Sequence, residues 1–367
     1  MRQSPALTGM ADSLQDILAE NGAEWGTVSG ERVVLHYGDV QAEHGHLTES
    51  VALIDFTARG CLAVLGDDRV KFINGQVTNE VAGLRPGQGC YAALVNAKAK
   101  MQTDLNIYRL ENELILDFEP GLLDTVTARL ESHLVADQVE LVNASPHFGL
   151  LSLQGPNTND AIESLGLKLP DELFAHRQVK QDELGEWYLM RNDRLGQAGC
   201  DLYIPTAHLP GAAKRLAKAV AGQGGGLAGW ESTEITRIES GIPRFGSDMD
   251  GRTLPPEANL ESRAISYTKG CYIGQEIIAR IRTYGKVNRT LVGYRLDDEL
   301  AKTATPGTKL VDDTGKAVAT ITSLAQSPGF GAIALGLAKR THSKSGQVLT
   351  AETPATGRAK VASLPFC

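Results

Sequence analysis

A chain of 367 residues is too long for one compact core and is expected to divide into two or three domains. With 42% hydrophobic and 22% charged residues, and nothing approaching the ~18 unbroken apolar residues of a membrane span, it reads as a soluble globular protein. The formal charge of −8 opposes a broad grip on nucleic acid or an anionic membrane, although a local basic patch can still bind a small anion.

The N-terminal stretch spreads Asp12, Asp16 and Glu20 among its apolar residues, unlike a secretory signal, so a cytoplasmic location is expected. A helix over Ser13 to Glu20 and the strand-like ERVVLHYG open the chain. Cys61 to Leu65 alternates into a strand, and Asp67 or Asp68 is placed to cap a helix over Arg69 to Ile73. RPGQG at 85–89 has Pro86 and Gly87 in the central positions of a type II turn. YAALVN, MQTDLNIYRL and ELILDF then read as three strands, and GLLDTVTARLESHL spaces Leu123, Val126, Leu130 and Leu134 at helical intervals.

A similar run follows. GLLSLQGP is a strand and turn, TNDAIESLG a helix, EWYLMRND and CDLYIP strands, and PGAAKRLAKAVAG and ESTEITRIESG helices that end at glycines. No G-x-G-x-x-G turn interrupts the alternation, so a dinucleotide-binding sheet has no support. An α+β arrangement fits better, with antiparallel sheets carrying helices on one face. After about Arg289, short alternating segments separated by Gly, Pro and Asp turns predict a small antiparallel barrel or sandwich over 290–367.

The five cysteines, Cys61, Cys90, Cys200, Cys271 and Cys367, are scattered without a C-x-x-C pair, which indicates neither a disulfide framework nor a zinc site. Cys271 differs from the others in its neighbourhood, KGCYIGQE (Lys269 to Glu276). It lies between Lys269 and a helix start, and both the ammonium and the helix end favour a thiolate. Gly270 and Gly274 allow backbone amides to approach a bound group, and Gln275 is placed to order the loop. Glu276 precedes Arg280 by one turn, in the favourable order. The alternative is a tight loop with a partly buried cysteine. The basic run Arg280, Arg282, Lys286 and Arg289 is either a solvated face or a receiver for an anionic tail or acidic partner.

KGCYIGQE, with the upstream LPPEANLE at 254–261, resembles the signature of the YgfZ family, folate-binding proteins of iron–sulfur cluster maintenance. That family is similar to the aminomethyltransferase (T-protein) of glycine cleavage. The resemblance extends to the segment from Val51 through Leu110, to SLQGP at 152–156 and to RIESGIPRFGSDMD from Arg237. It implies a three-part ring: an α+β domain over 1–145, against which part of 230–289 packs, a second α+β domain over 146–289 carrying KGCYIGQE, and a C-terminal antiparallel β-barrel over 290–367.

The resemblance also implies a site for tetrahydrofolate or a one-carbon-substituted folate. Asp201 stands where T-proteins have a pterin-binding glutamate, and a carboxylate suits the adjacent N–H donors of a pterin. A bare aspartate at a strand end equally faces water. Asp104 corresponds to the second of two adjacent carboxylates near the reactive folate nitrogen, the first being Thr103 here. It shares a strand face with Asn106 and Tyr108, which otherwise reads as a polar row facing solvent. Glu119 falls where T-proteins carry a ligand-contacting asparagine, and Arg191 and Arg237 fall on T-protein arginine positions, although the two arginines equally suit surface ion pairs.

Two functions follow from the resemblance. One is a tetrahydrofolate-binding accessory to the assembly or repair of iron–sulfur enzymes, with Cys271 and Lys269 as working groups and iron–sulfur proteins or their assembly factors as partners. The other is a folate-dependent aminomethyltransferase or related one-carbon transferase, with Asp104 as base or electrostatic stabiliser. A third, non-folate possibility is a structural interaction module whose vestigial pocket no longer binds anything. No nucleic acid or membrane partner is expected.

Overall fold

Ser13 opens the first helix, Leu14–Glu20, through a capping box: its hydroxyl accepts from the Asp16 N–H while the Asp16 carboxylate accepts from the Ser13 N–H. The structure is a computed structural model and describes residues 13–181, 185–285 and 287–367. A hairpin of Glu24–Val28 and Glu31–His36 follows, then helix Val40–Glu49, capped by Asp39.

Two sheets form the centre. The first has five antiparallel strands in the order Gln88–Val95, Met101–Arg109, Leu114–Phe118, Gly60–Leu65 and Glu140–Asn143. Its outer face, with Leu105, Ile107 and Leu116, packs under helices Arg69–Gln76 and Leu123–Glu131. The RPGQG turn is made as its residues dictate: Gly87 sits at φ +90° and the Gln88 N–H donates to Arg85 O at 3.0 Å. Asp68 does precede helix Arg69–Gln76, but its carboxylate accepts from the Gln138 N–H instead of capping it.

The second sheet has the order His176–Gln181, Gly185–Arg191, Gly199–Pro205, Phe148–Gln154, Ala52–Asp55 and Gly226–Ala228, the last pair parallel. Leu153, Leu189 and Leu202 on its outer face meet helices Thr158–Ser164 and Leu209–Gly222. The two inner faces pack on each other, Ile54, Leu150, Met190 and Tyr203 against Cys61, Ala63, Tyr108 and Ile115. Helices thus cover one face of each sheet, and the uncovered faces form a common core.

The strands between 60 and 143 belong to the first sheet and those between 148 and 228 to the second, with one strand crossing over. Ala52–Asp55, early in the chain, is an inner strand of the second sheet, with Ala52, Leu53 and Ile54 buried and partners on both edges. Helix Trp230–Glu239 packs against helix Val40–Glu49 and the barrel strand Ala317–Ser327. The barrel closes in the order Arg289–Leu296, Gly331–Lys339, Ala317–Ser327, Lys309–Val311, Val348–Ala351 and Arg358–Ala362 around Tyr294, Leu310, Ile321 and Leu349. No helix among the described residues is long and apolar enough to cross a membrane.

Candidate functional site

Strand Met101–Arg109 turns Leu105 and Ile107 outward to the helices and therefore Asp104, Asn106 and Tyr108 inward, toward the second sheet. Asn106 and Tyr108 are buried, so the row that reads as solvent-facing in the sequence faces another sheet. Thr103 lies on the opposite side of this strand from Asp104 and is fully buried. The Tyr91 hydroxyl donates to Asp104 Oδ2 at 2.8 Å, while Oδ1 is buried without a hydrogen-bond partner. Burial, and then the neighbouring Glu119 charge, pushes the Asp104 carboxyl up to about 6.

Glu119 accepts from Arg59 and lies 3.4 Å from Arg244 Nε through Oε2, an oxygen that has no hydrogen bond. Burial opposes its ionisation, but these two guanidinium groups outweigh that cost and hold it below the usual carboxylate range. Arg244 itself is paired with Glu234 and stacks over Trp230 at 4.0 Å.

Beneath these acids runs a closed network of charges. Asp117, fully buried, accepts from Arg59 Nε at 2.8 Å, Asn106 Nδ2 at 2.6 Å and Arg194 Nη2 at 2.8 Å. Burial would raise its pKa, yet the two arginines bring it down to about 2. Asp201, also fully buried, accepts from Arg194 Nε at 2.9 Å, Ser152 Oγ at 2.9 Å and Asn192 Nδ2 at 2.8 Å. Asn192 also donates to the Tyr108 hydroxyl. Arg194 therefore ties an acid of one sheet to an acid of the other.

A pocket of about 80 Å³ opens over this network. Phe56, Tyr91, Phe174, Asp104, Glu119 and Arg194 line it, together with Arg237, Arg244 and Arg263. Phe174 is held at φ +63°, which a bulky residue adopts only where its surroundings impose it. Arg263, exposed, lies over the Tyr91 ring at 5.3 Å. Two buried carboxylate oxygens without donors, beside aromatic rings, suit a flat heterocycle that presents N–H groups. The enclosed space takes only two or three waters at ~30 Å³ each. A larger ligand must extend beyond this enclosed space.

Of the residues singled out in the sequence, Asp104, Glu119 and Arg237 meet at this pocket. Asp201 does not line it; its carboxylate is filled by protein donors and acts from behind, through Arg194. Arg191 pairs with Asp193 at 2.9 Å and also lies off the pocket wall. Arg237 bonds to Glu234, to Asp248 and to Ser323 of the barrel. Sequence reasoning missed Arg59 and Arg194. One signal pointed to them: an aspartate in the apolar strand ELILDF needs cationic partners if its face is buried.

KGCYIGQE lies elsewhere; none of its residues lines the pocket. Lys269 is buried, and its ammonium donates to Asn74 O (2.7 Å), Val77 O (2.9 Å) and Asn79 O (2.5 Å), closing the C-terminal end of helix Arg69–Gln76. Burial pushes it down to about 8. All three of its protons are committed to these carbonyls. Tyr272 packs on Ala99, Ile265 and Ile278. Gly274 is at φ +81°, where a Cβ would come within 2.7 Å of Asn96 O, whereas a Cβ on Gly270 would meet nothing within 4 Å. The Gln275 N–H closes the turn onto Tyr272 O at 3.2 Å and starts helix Gln275–Tyr284, whose first turn holds Glu276. Cys271 is exposed.

The basic run is not one patch. Arg282 stacks over Tyr267 at 3.9 Å, Arg280 is exposed, Arg289 pairs with Glu257 at 3.1 Å, and Lys286 lies outside the described residues. Glu257 of LPPEANLE thereby anchors the first barrel strand.

The family model described as the GCVT N-terminal domain matches residues 14–269. The chain is 25% identical over 358 residues to an aminomethyltransferase of Saccharopolyspora erythraea, covering 96% of both. It is 26% identical over 360 residues to a putative chloroplastic transferase of Arabidopsis thaliana, covering 95% of this chain and 81% of that one. The crystal structure of glycine cleavage system aminomethyltransferase T from Bartonella henselae is similar to it with a TM-score of 0.84 at 25% identity, over 96% of this chain and 97% of that one.

Proposed function

Because the chain belongs to the GCVT N-terminal domain family, we propose that its central pocket binds a reduced folate and that the protein is an aminomethyltransferase-like, folate-dependent one-carbon transferase. The observation that carries this reading is Asp104: a buried carboxyl with one oxygen held by Tyr91, the other without a donor, and a proton affinity raised toward neutrality. A reduced folate supplies an amine that accepts a one-carbon unit. Asp104 is suited to hold a proton of that amine, and Glu119 to accept from a ring N–H. The charges behind them are paired and rigid, so the acids keep their positions without ligand. Thr103, where the resemblance expects a second carboxylate, lies on the other side of its strand. Its identity leaves the acid on the pocket wall in place.

The test is folate methylenation from an aminomethylated lipoyl carrier, together with thermal stabilisation by tetrahydrofolate. A hundredfold excess over Kd adds about 2.7 kcal/mol. Asp104→Asn is expected to abolish turnover; no stabilisation at saturating folate would rule out the reading.

A second reading, the folate-binding accessory to iron–sulfur enzymes, has one observation in its favour. Cys271 is exposed on a firmly built loop, while Cys61, Cys90 and Cys200 are buried. Folate binding without turnover, with loss of iron–sulfur enzyme activity in cells carrying Cys271→Ser, would favour it over transfer.

A further inference from the structure

Five arginines line the central pocket, and four of them are spent on acids of the protein. Arg59 pairs with Asp117 and Glu119, and Arg194 with Asp117 and Asp201. Arg237 pairs with Glu234 and Asp248, and Arg244 with Glu234 and Glu119. Arg263 differs. Among the described residues no hydrogen bond or ion pair engages its guanidinium, which lies over the Tyr91 ring at 5.3 Å and is exposed. Contact with a ring face consumes none of its N–H donors.

The backbone at this position is fixed although the side chain is not. Arg263 belongs to the short helix Glu261–Ala264, and its carbonyl accepts from Asn79 Nδ2 at 3.3 Å. The next carbonyl, of Ala264, accepts from Thr78 Oγ1 at 2.6 Å. Tyr91 then connects the cation to the acid of the pocket: its ring faces Arg263, and its hydroxyl donates to Asp104 Oδ2 at 2.8 Å. Asp104 Oδ1 is buried without a donor. One pocket therefore presents an acceptor that lacks a donor and, across a single tyrosine, a cation that lacks an anion.

We infer that Arg263 is a specificity-determining residue that receives the carboxylate end of the pocket's ligand. The inference rests on the folate reading and deepens it. A reduced folate has N–H groups on its ring system and carboxylates on its glutamate tail, the two complements that Asp104 and Arg263 require. The enclosed space of about 80 Å³ is too small for the whole molecule, so its tail must lie among exposed groups. Arg263 is the one pocket arginine free to meet it without breaking an ion pair of the protein. Because this cation stands in water, its charge-assisted bond should add about tenfold to affinity.

The test compares two ligands that differ only in tail charge: tetrahydrofolate and its diamide, in which both glutamate carboxylates are neutral amides. Each is titrated anaerobically into the full-length protein and followed by calorimetry. Wild type is expected to bind tetrahydrofolate about tenfold more tightly than the diamide, and the gap should narrow as salt is added. Arg263→Gln, a change at an exposed position, should bind the diamide as wild type does and lose the preference for tetrahydrofolate. Arg263→Lys, which keeps the charge without the fork, should retain part of it. Equal binding of the two ligands by wild type, or a preference that survives in Arg263→Gln, overturns the role of Arg263 and leaves the folate reading standing. Binding of neither ligand by wild type overturns the folate reading and this inference with it.

Discussion

The pocket floor and the KGCYIGQE loop both bury charge, and they use it differently. Under the pocket, Arg59 and Arg194 each pair with acids of the protein, and two carboxylate oxygens above them stay without donors. In the loop, the buried Lys269 spends every donor on backbone carbonyls, and the one exposed reactive group, the Cys271 thiol, has no part in that arrangement. Within these eight contiguous residues, Lys269 fastens a helix end and Gly274 and Gln275 form a turn. The pocket is assembled from residues that no single motif contains.

The comparison fails most visibly if Arg194 proves dispensable. Arg194→Met leaves Asp117 and Asp201 short of their shared partner, and a loss of about 3–5 kcal/mol is expected in urea unfolding. Adding Asp201→Asn should recover part of it.

Asp104 sharpens the contrast through pH. Its carboxyl, raised from the ordinary 3.8 to about 6, holds a proton more tightly when folded than unfolded. Its contribution to stability is full below 3.8 and is lost as pH rises through about 6. Between about pH 4 and 7, wild type should lose on the order of 3 kcal/mol relative to Asp104→Asn. A variant with the same pH slope as wild type would show that Asp104 titrates normally.

Lys269→Met removes the ammonium from three carbonyls and should cost about 2 kcal/mol. The informative readout is the thiol: if the Lys269 charge serves the helix end alone, Cys271 alkylation in this variant should not slow at neutral pH. A marked slowing would restore the activating role.

The smallest effect belongs to Cys271→Ser. A change at an exposed side chain should alter stability by less than about 0.5 kcal/mol. Native protein should label at Cys271 and Cys367 and this variant only at Cys367, with Cys61, Cys90 and Cys200 reacting after denaturation.

Much of the architecture was legible in the residues. Period-two alternation marked MQTDLNIYRL and CDLYIP, helical spacing marked GLLDTVTARLESHL, and Gly87 set its turn, because these depend on neighbours close in the chain. The site was legible only in part. Asp104 and Glu119 stood out through a resemblance, but whether the Asp104 row met water or a second sheet was open, since alternation names two faces without saying what covers either. Arg59 and Arg194 went unnoticed because Arg194 meets Asp117 from 77 positions away. Lys269 was assigned to its sequence neighbour Cys271 when its partners, Asn74, Val77 and Asn79, lie more than 180 residues earlier.

The amino-acid sequence by itself determined the strands, most helices, the barrel and the presence of acids on strand faces, all consequences of local backbone geometry and side-chain period. Tertiary structure alone decided which of those acids are neutralised and which remain as acceptors. The cost of a buried charge depends on partners that only the meeting of two sheets brings within hydrogen-bond reach.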